Sequence, residues 1–277
     1  MEIGGAMLRV QSVLLFGILL LSTAALAQEE VRIPWRGGWL SEFVDGQRDG
    51  ELRGKLFKPP GTKPAPFIVF LHGCAGLNVK TQGHWGTFFT RRGVGFLMVD
   101  SFATRHTESA CEPSTQPWVR RRADDAASGL AWLAAQPYAK PDRIAVMGQS
   151  QGGIATLFTL HEGTAGAGGF VAGLAMYPGC KFPMKLRLAK PVLAMIGSED
   201  NWTPAADCEA LQAAQPDKSK LEIIIYPGAA HAFDNPVKPG LAFGKYKIGE
   251  HPASRDKARA RGRLDQQFPK AIDEFLG

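Results

Sequence analysis

Ile144-Ala145-Val146-Met147-Gly148-Gln149-Ser150-Gln151-Gly152-Gly153 begins as a short apolar run, passes a serine set between two glycines, and continues into Ile154-Ala155-Thr156-Leu157. Four bounded apolar residues suit a buried parallel strand, and the residues after Gly152 take helical spacing. A strand that turns at once into a helix brings backbone against backbone, which leaves no room for a Cβ at Gly148 or Gly152. Ser150 then sits on a strained turn, hydroxyl outward, at the positive end of a helix. That is the local geometry of a nucleophile elbow. With 32 glycines in the chain, a Gly-rich turn carrying a solvated serine is the competing reading, and the strand-before, helix-after context favours the nucleophile.

Working outward, strands and helices alternate. Leu52–Lys58, Phe67–Leu71, Gly95–Asp100, Phe170–Met176, Val192–Ile196 and Leu221–Tyr226 read as strands. Trp85–Arg92, Trp118–Ala135, Ala205–Ala214 and Ala253–Phe268 read as helices. Ser101–Pro117, His161–Gly169 and Asp234–His251 read as loops. The alternation predicts an α/β fold: a mostly parallel central sheet with helices on both faces, and ligands outside the carboxyl ends of its strands. The glycine-rich 161–169 segment lacks the G-x-G-x-x-G spacing of a dinucleotide site.

The N-terminus reads separately. Arg9 precedes an apolar segment, Val13–Leu21, broken only by Gly17 and followed by Ser22-Thr23-Ala24-Ala25-Leu26-Ala27. A charged start, an apolar run too short to span a bilayer and a small-residue site predict a signal peptide over residues 1–27. Residues 28–277, about 250, then suit one α/β domain in the periplasm or outside the cell, with no stable membrane insertion after cleavage. The alternative is an uncleaved anchor.

The formal net charge of +6 raises the question of nucleic acid. Arg120-Arg121-Arg122 opens a helix and Arg255, Arg259 and Arg263 recur along another, but no nucleic-acid-binding motif accompanies them. The second set reads as a solvated helix face. Cys74, Cys111, Cys180 and Cys208 make an even count that suits two disulfides after export, with three connectivities open. With no C-x-x-C and no H-E-x-x-H, a metal site is not expected.

Ser150, Asp200 and His231 each follow the end of a predicted strand, so all three belong on one rim. The chemistry needs these types: His231 activates the Ser150 hydroxyl, and a carboxylate orients the imidazole and stabilises its cation. Asp200 is preferred over Glu199 because Gly197-x-x-Asp200-x-x-Thr203-Pro204 sets it in the turn before a helix. Two backbone donors are also needed for the developing oxyanion, expected from Gln151 and from Cys74 in His72-Gly73-Cys74-Ala75-Gly76.

Together with Asp100-Ser101-Phe102, Gly197-Ser198-Glu199-Asp200 and His231-Ala232-Phe233, these motifs resemble the dienelactone hydrolase family of α/β-hydrolases, in particular its exported serine-containing members. The resemblance covers roughly residues 50–277. It implies Ser150 as nucleophile, Asp200 and His231 as its partners, Cys74 and Gln151 as oxyanion amides, and no cofactor. The chain departs from the family where it has Ser150 in place of a cysteine. It also has Gly73 near the family's glutamate, and Asp234-Asn235-Pro236 where an arginine follows the histidine. The last two departures point away from dienelactone itself, leaving Arg105 or Arg120 to meet an anionic group and Trp85 and Phe233 as further substrate contacts. All four cysteines fall in or near rim loops, which suggests the pairs Cys74–Cys111 and Cys180–Cys208.

The sequence therefore predicts an exported serine hydrolase acting on a small-molecule carboxylic ester or lactone, without metal or nucleic acid, and sets no oligomeric state. A serine peptidase or polysaccharide acyl esterase fits the same machinery. A binding protein that kept the fold is the reading from another class.

Overall fold

The computed structural model describes residues 28–36, 49–111, 116–234, 241–243 and 246–248. The expected leader 1–27, the helix 253–268 with its three arginines, and most of the 234–251 loop lie outside the described residues.

Ten strands are described: β1 Gln28–Arg36, β2 Asp49–Phe57, β3 Ala65–Leu71, β4 Gly95–Asp100, β5 Ala139–Gln149, β6 Gly173–Met176, β7 Val192–Gly197, β8 Leu221–Tyr226, β9 Leu241–Phe243 and β10 Tyr246–Ile248. The helices are α1 Val79–Thr90, α2 Gln116–Ala134, α3 Gln151–Thr159, α4 Ala165–Gly169 and α5 Ala205–Ala213. Eight strands form one sheet in the order β1-β2-β4-β3-β5-β6-β7-β8. β1, β2 and β4 pair antiparallel, and from β4 through β3 to β8 every neighbour is parallel.

The parallel part follows from composition. Phe67 to Leu71, Phe96 to Val99, Ile144 to Met147 and Val192 to Ile196 are buried without interruption, as strands covered on both faces must be. The antiparallel edge is different. In β1 only Ile33 and Trp35 are buried, and the exposed side chains pair across to β2 as Arg32–Glu51 and Lys55–Glu30. Pro34 is tolerated because an edge strand has one side with no ladder bonds to make.

The sequence reading set no strand at β1, although Val31, Ile33 and Trp35 alternate there with Arg32, Pro34 and Arg36 in the period of a half-buried strand. It also read as loop the five-residue α4, capped by the Thr164 side chain on the Ala167 amide, and the short β9–β10 hairpin.

Phe57, Phe70, Phe89 and Phe96 fill one region of the core. Phe96 is fully buried and its ring lies 6.4 Å from Phe57, 5.2 Å from Phe70 and 5.4 Å from Phe89. Phe96→Ala should therefore lower the unfolding free energy by about 4 kcal/mol in urea titrations. Met184→Ala, at a side chain 37% exposed, should change it by less than about 0.5 kcal/mol.

Candidate active site

The elbow forms where β5 ends and α3 begins. A Cβ on Gly148 would lie 2.1 Å from the Gly152 carbonyl oxygen, and one on Gly152 would lie 2.1 Å from the Leu71 oxygen. Neither separation is sterically possible, so both positions exclude every residue but glycine. Between them Ser150 adopts φ 53°, ψ −116°, a conformation that L-residues hold only when their surroundings impose it. The imposing bonds are Ser150 N–H to the Met176 carbonyl at 2.9 Å and Ile154 N–H to the Ser150 carbonyl at 2.9 Å.

Three strand ends converge here. The Ser150 hydroxyl stands 2.9 Å from His231 Nε2, and His231 Nδ1 stands 2.7 Å from Asp200 Oδ2. A carboxylate only accepts, so Nδ1 carries the imidazole proton and Nε2 is left to accept from the serine. Asp200 is fixed in turn: its Oδ1 accepts the N–H groups of Trp202 at 2.9 Å and Thr203 at 2.8 Å, and the Thr203 hydroxyl reaches its Oδ2 at 2.8 Å. Glu199 is exposed, and the carboxylate that reaches His231 belongs to Asp200. The His231 ring is flanked by Tyr177 and Trp202, each with its ring centre 4.9 Å away.

The loop after β3 packs against the elbow. A Cβ built on Gly73 would lie 3.8 Å from Ser150 Cβ, so Gly73, the residue before Cys74, faces the serine. The Gln151 amide occupies the first turn of α3, where N–H groups have no intrahelical acceptor. Both expected disulfide pairs are formed, Cys74–Cys111 and Cys180–Cys208. The first closes the loop bearing Cys74 onto the 101–111 segment, which the Ala110 N–H also holds through the Cys74 carbonyl at 2.8 Å.

Three expected substrate contacts are corrected. Arg105 is nearly buried, forks onto Asp125 at 2.9 and 2.7 Å, and lies over the Trp35 ring, so its guanidinium is committed to the fold. Trp85 and Phe233 are 5% and 4% exposed and belong to the interior. Trp85 packs on Phe88 and Phe89, and Phe233 on Tyr177 and Tyr226.

Asp234, noted in the sequence only as standing where the family carries an arginine, has a bracing role that the sequence did not announce. Its carboxylate accepts from Trp85 Nε1 at 2.9 Å, Tyr177 OH at 2.7 Å and the Gln149 side-chain amide, tying the His231 loop to α1, β6 and the elbow. Its partners lie 57 to 149 residues away in sequence, so no local pattern announces it. Burial, and then Asp234, push the Tyr177 phenol well above its ordinary range, which keeps it a donor. No group of three or more metal-ligating side chains occurs among the described residues. No described helix is long and apolar enough to cross a membrane.

The sequence pattern of the dienelactone hydrolase family matches residues 52–264. The chain belongs to the dienelactone hydrolase family. A Salmonella typhimurium protein assigned as a carboxymethylenebutenolidase is 36% identical over 63 residues, 22% of this chain and 23% of that protein, so the match spans under a quarter of the relative. Among solved structures, a Klebsiella pneumoniae protein assigned as a dienelactone hydrolase superposes with a TM-score of 0.60 at 15% identity, covering 88% of this chain and 98% of its own. A thermophilic esterase of Thermogutta terrifontis gives 0.55 at 19% identity, covering 85% and 89%. At these identities the superpositions speak for the fold, that of the α/β-hydrolases.

His72, at the start of the loop after β3, is fully buried. Its Nδ1 donates to the Gly73 carbonyl at 2.7 Å and its Nε2 accepts the Ser101 N–H at 3.2 Å, an arrangement only the neutral ring satisfies. Burial, and then the Arg122 cation, hold its pKa well below the usual 6.5. The unfolded chain therefore binds a proton that the folded chain refuses, and stability falls as pH drops below 6.5. This one group can remove at most about 1.4 kcal/mol per pH unit, a slope approached only below 6.5. Unfolding free energies should fall from pH 7 to 5 in the wild type and fall less steeply in His72→Gln.

Proposed function

We propose that the protein is an exported serine hydrolase that cleaves carboxylic esters, lactones included, through an acyl-enzyme on Ser150. The observation that carries this reading is the line of bonds from the Ser150 hydroxyl through His231 to Asp200, on a serine whose backbone is forced to a positive φ.

In that reading His231 Nε2 takes the hydroxyl proton as Ser150 Oγ bonds to the ester carbonyl carbon. The carbonyl oxygen becomes an oxyanion held by the Cys74 and Gln151 amides. Collapse breaks the carbon–oxygen bond to the alcohol, which leaves with the proton from His231. Water then adds to the acyl group by the same route, giving the acid and restoring Ser150. Asp200 keeps the imidazole in the productive tautomer and stabilises its cation. Family membership supports hydrolysis as the reaction class. Export is supported by the N-terminal leader pattern and by two disulfides, which persist in oxidising compartments.

Hydrolysis of p-nitrophenyl esters from acetate to decanoate should be measurable for the wild type and fall at least about 10³-fold in Ser150→Ala. Asp200→Asn should lose about 10⁴-fold in kcat while its KM stays near that of the wild type. A Ser150→Ala variant keeping more than a tenth of wild-type activity would remove Ser150 from the mechanism.

A further inference from the structure

We propose that Arg122 is a positioning residue that sets the two halves of the oxyanion hole against each other. The inference rests on the Cys74 and Gln151 amides being the oxyanion donors.

Arg122 lies on α2 and is fully buried. One end of its fork, Nη2, donates to the carbonyl of His72, the peptide that leads into Gly73-Cys74. The other, Nη1, donates to the Gln151 side-chain oxygen at 3.1 Å. The Gln151 side-chain nitrogen then donates to the Ala110 carbonyl at 2.9 Å, and the Ala110 N–H donates to the Cys74 carbonyl at 2.8 Å. These bonds close a ring through Arg122, His72, Gly73, Cys74, Ala110 and Gln151. The Cys74 amide lies on it, and Gln151, whose backbone N–H is the other proposed donor, joins it through its side chain.

The ring is costly for the fold. None of the Arg122 hydrogen bonds described goes to a carboxylate, because the nearby Asp125 is already forked by Arg105. Burial, and to a lesser extent the Arg105 cation, pull the guanidinium down, partly offset by Asp125 and Asp100, to about 10, so it remains a cation at neutral pH while bonded only to neutral oxygens. A buried cation without a bonded counter-charge is retained where position or function needs it rather than for stability. Here the need is a fixed separation between two backbone N–H groups that come from different loops. A planar fork meets both acceptors at once, and an ammonium does not.

The test uses the mature protein carrying Arg122→Met, Arg122→Lys and, separately, Gln151→Ala, which cuts the ring but leaves the Gln151 amide in place. For each, kcat and KM on a p-nitrophenyl ester are measured beside the inhibition constant of an alkyl trifluoromethyl ketone, whose serine adduct carries an oxyanion. Arg122→Met and Gln151→Ala should lower kcat about 10²-fold with KM within about threefold. Ketone affinity should fall in parallel with kcat, and the midpoint of the pH–rate profile should stay in place. Arg122→Lys should recover only a small part of the loss, and it carries the test together with Gln151→Ala if Arg122→Met does not fold.

Folded variants with wild-type kcat, or a kcat loss without a matching loss of ketone affinity, would overturn the inference while the wild-type ester activity leaves the hydrolase reading standing. A wild type inactive on every ester would overturn both.

Discussion

The contact on which the site depends is backbone on backbone, between the end of β5 and the start of α3. Glycine at 148 and 152 lets Gly152 approach the Leu71 carbonyl and Gly148 approach Gly152 at distances no Cβ survives. Once that packing is made, Ser150 has no other path between strand and helix and takes its positive φ. The strain is balanced by the two backbone bonds that hold it and by the surrounding apolar core. A strained residue held in this way presents its side chain in one orientation, which is what a nucleophile aligned with an imidazole requires.

Around that fixed point the loops are braced rather than left to find their places. Asp200 is held by two amides and a hydroxyl, His231 by Asp200 and two flanking rings, and the His231 loop by the three donors on Asp234. The Cys74–Cys111 bridge and the Arg122 ring do the same for the opposite wall. Such restraint suits a reaction whose barrier is lowered by donors already in place when charge develops.

How much of this could be read beforehand depended on the range of the interactions. The parallel strands announced themselves as unbroken apolar runs, and their order along the chain placed Ser150, Asp200 and His231 at strand ends, where the structure brings them together. The cysteine pairs were legible because all four fall in or beside rim loops. What escaped was either weakly marked or distant. β1 has two buried residues and a proline, and is secured by cross-strand pairing that no local rule displays. Arg105 looked available because its partner Asp125 stands 20 residues away on a helix. Arg122 was legible only as part of the Arg120-Arg121-Arg122 run that opens a helix, since its acceptors are 29 and 50 residues off in sequence. Burial of a charge is decided by tertiary partners, and a single sequence does not list them.

The central claim is that the bonded line from Asp200 through His231 activates Ser150. Its most direct test is intact-mass and peptide-level analysis after brief treatment with an alkyl fluorophosphonate. The account predicts a single adduct, located on the peptide bearing Ser150, formed in the wild type and slowed at least about 10³-fold in His231→Ala. An adduct on another residue, or equal labelling of the wild type and His231→Ala, would contradict it.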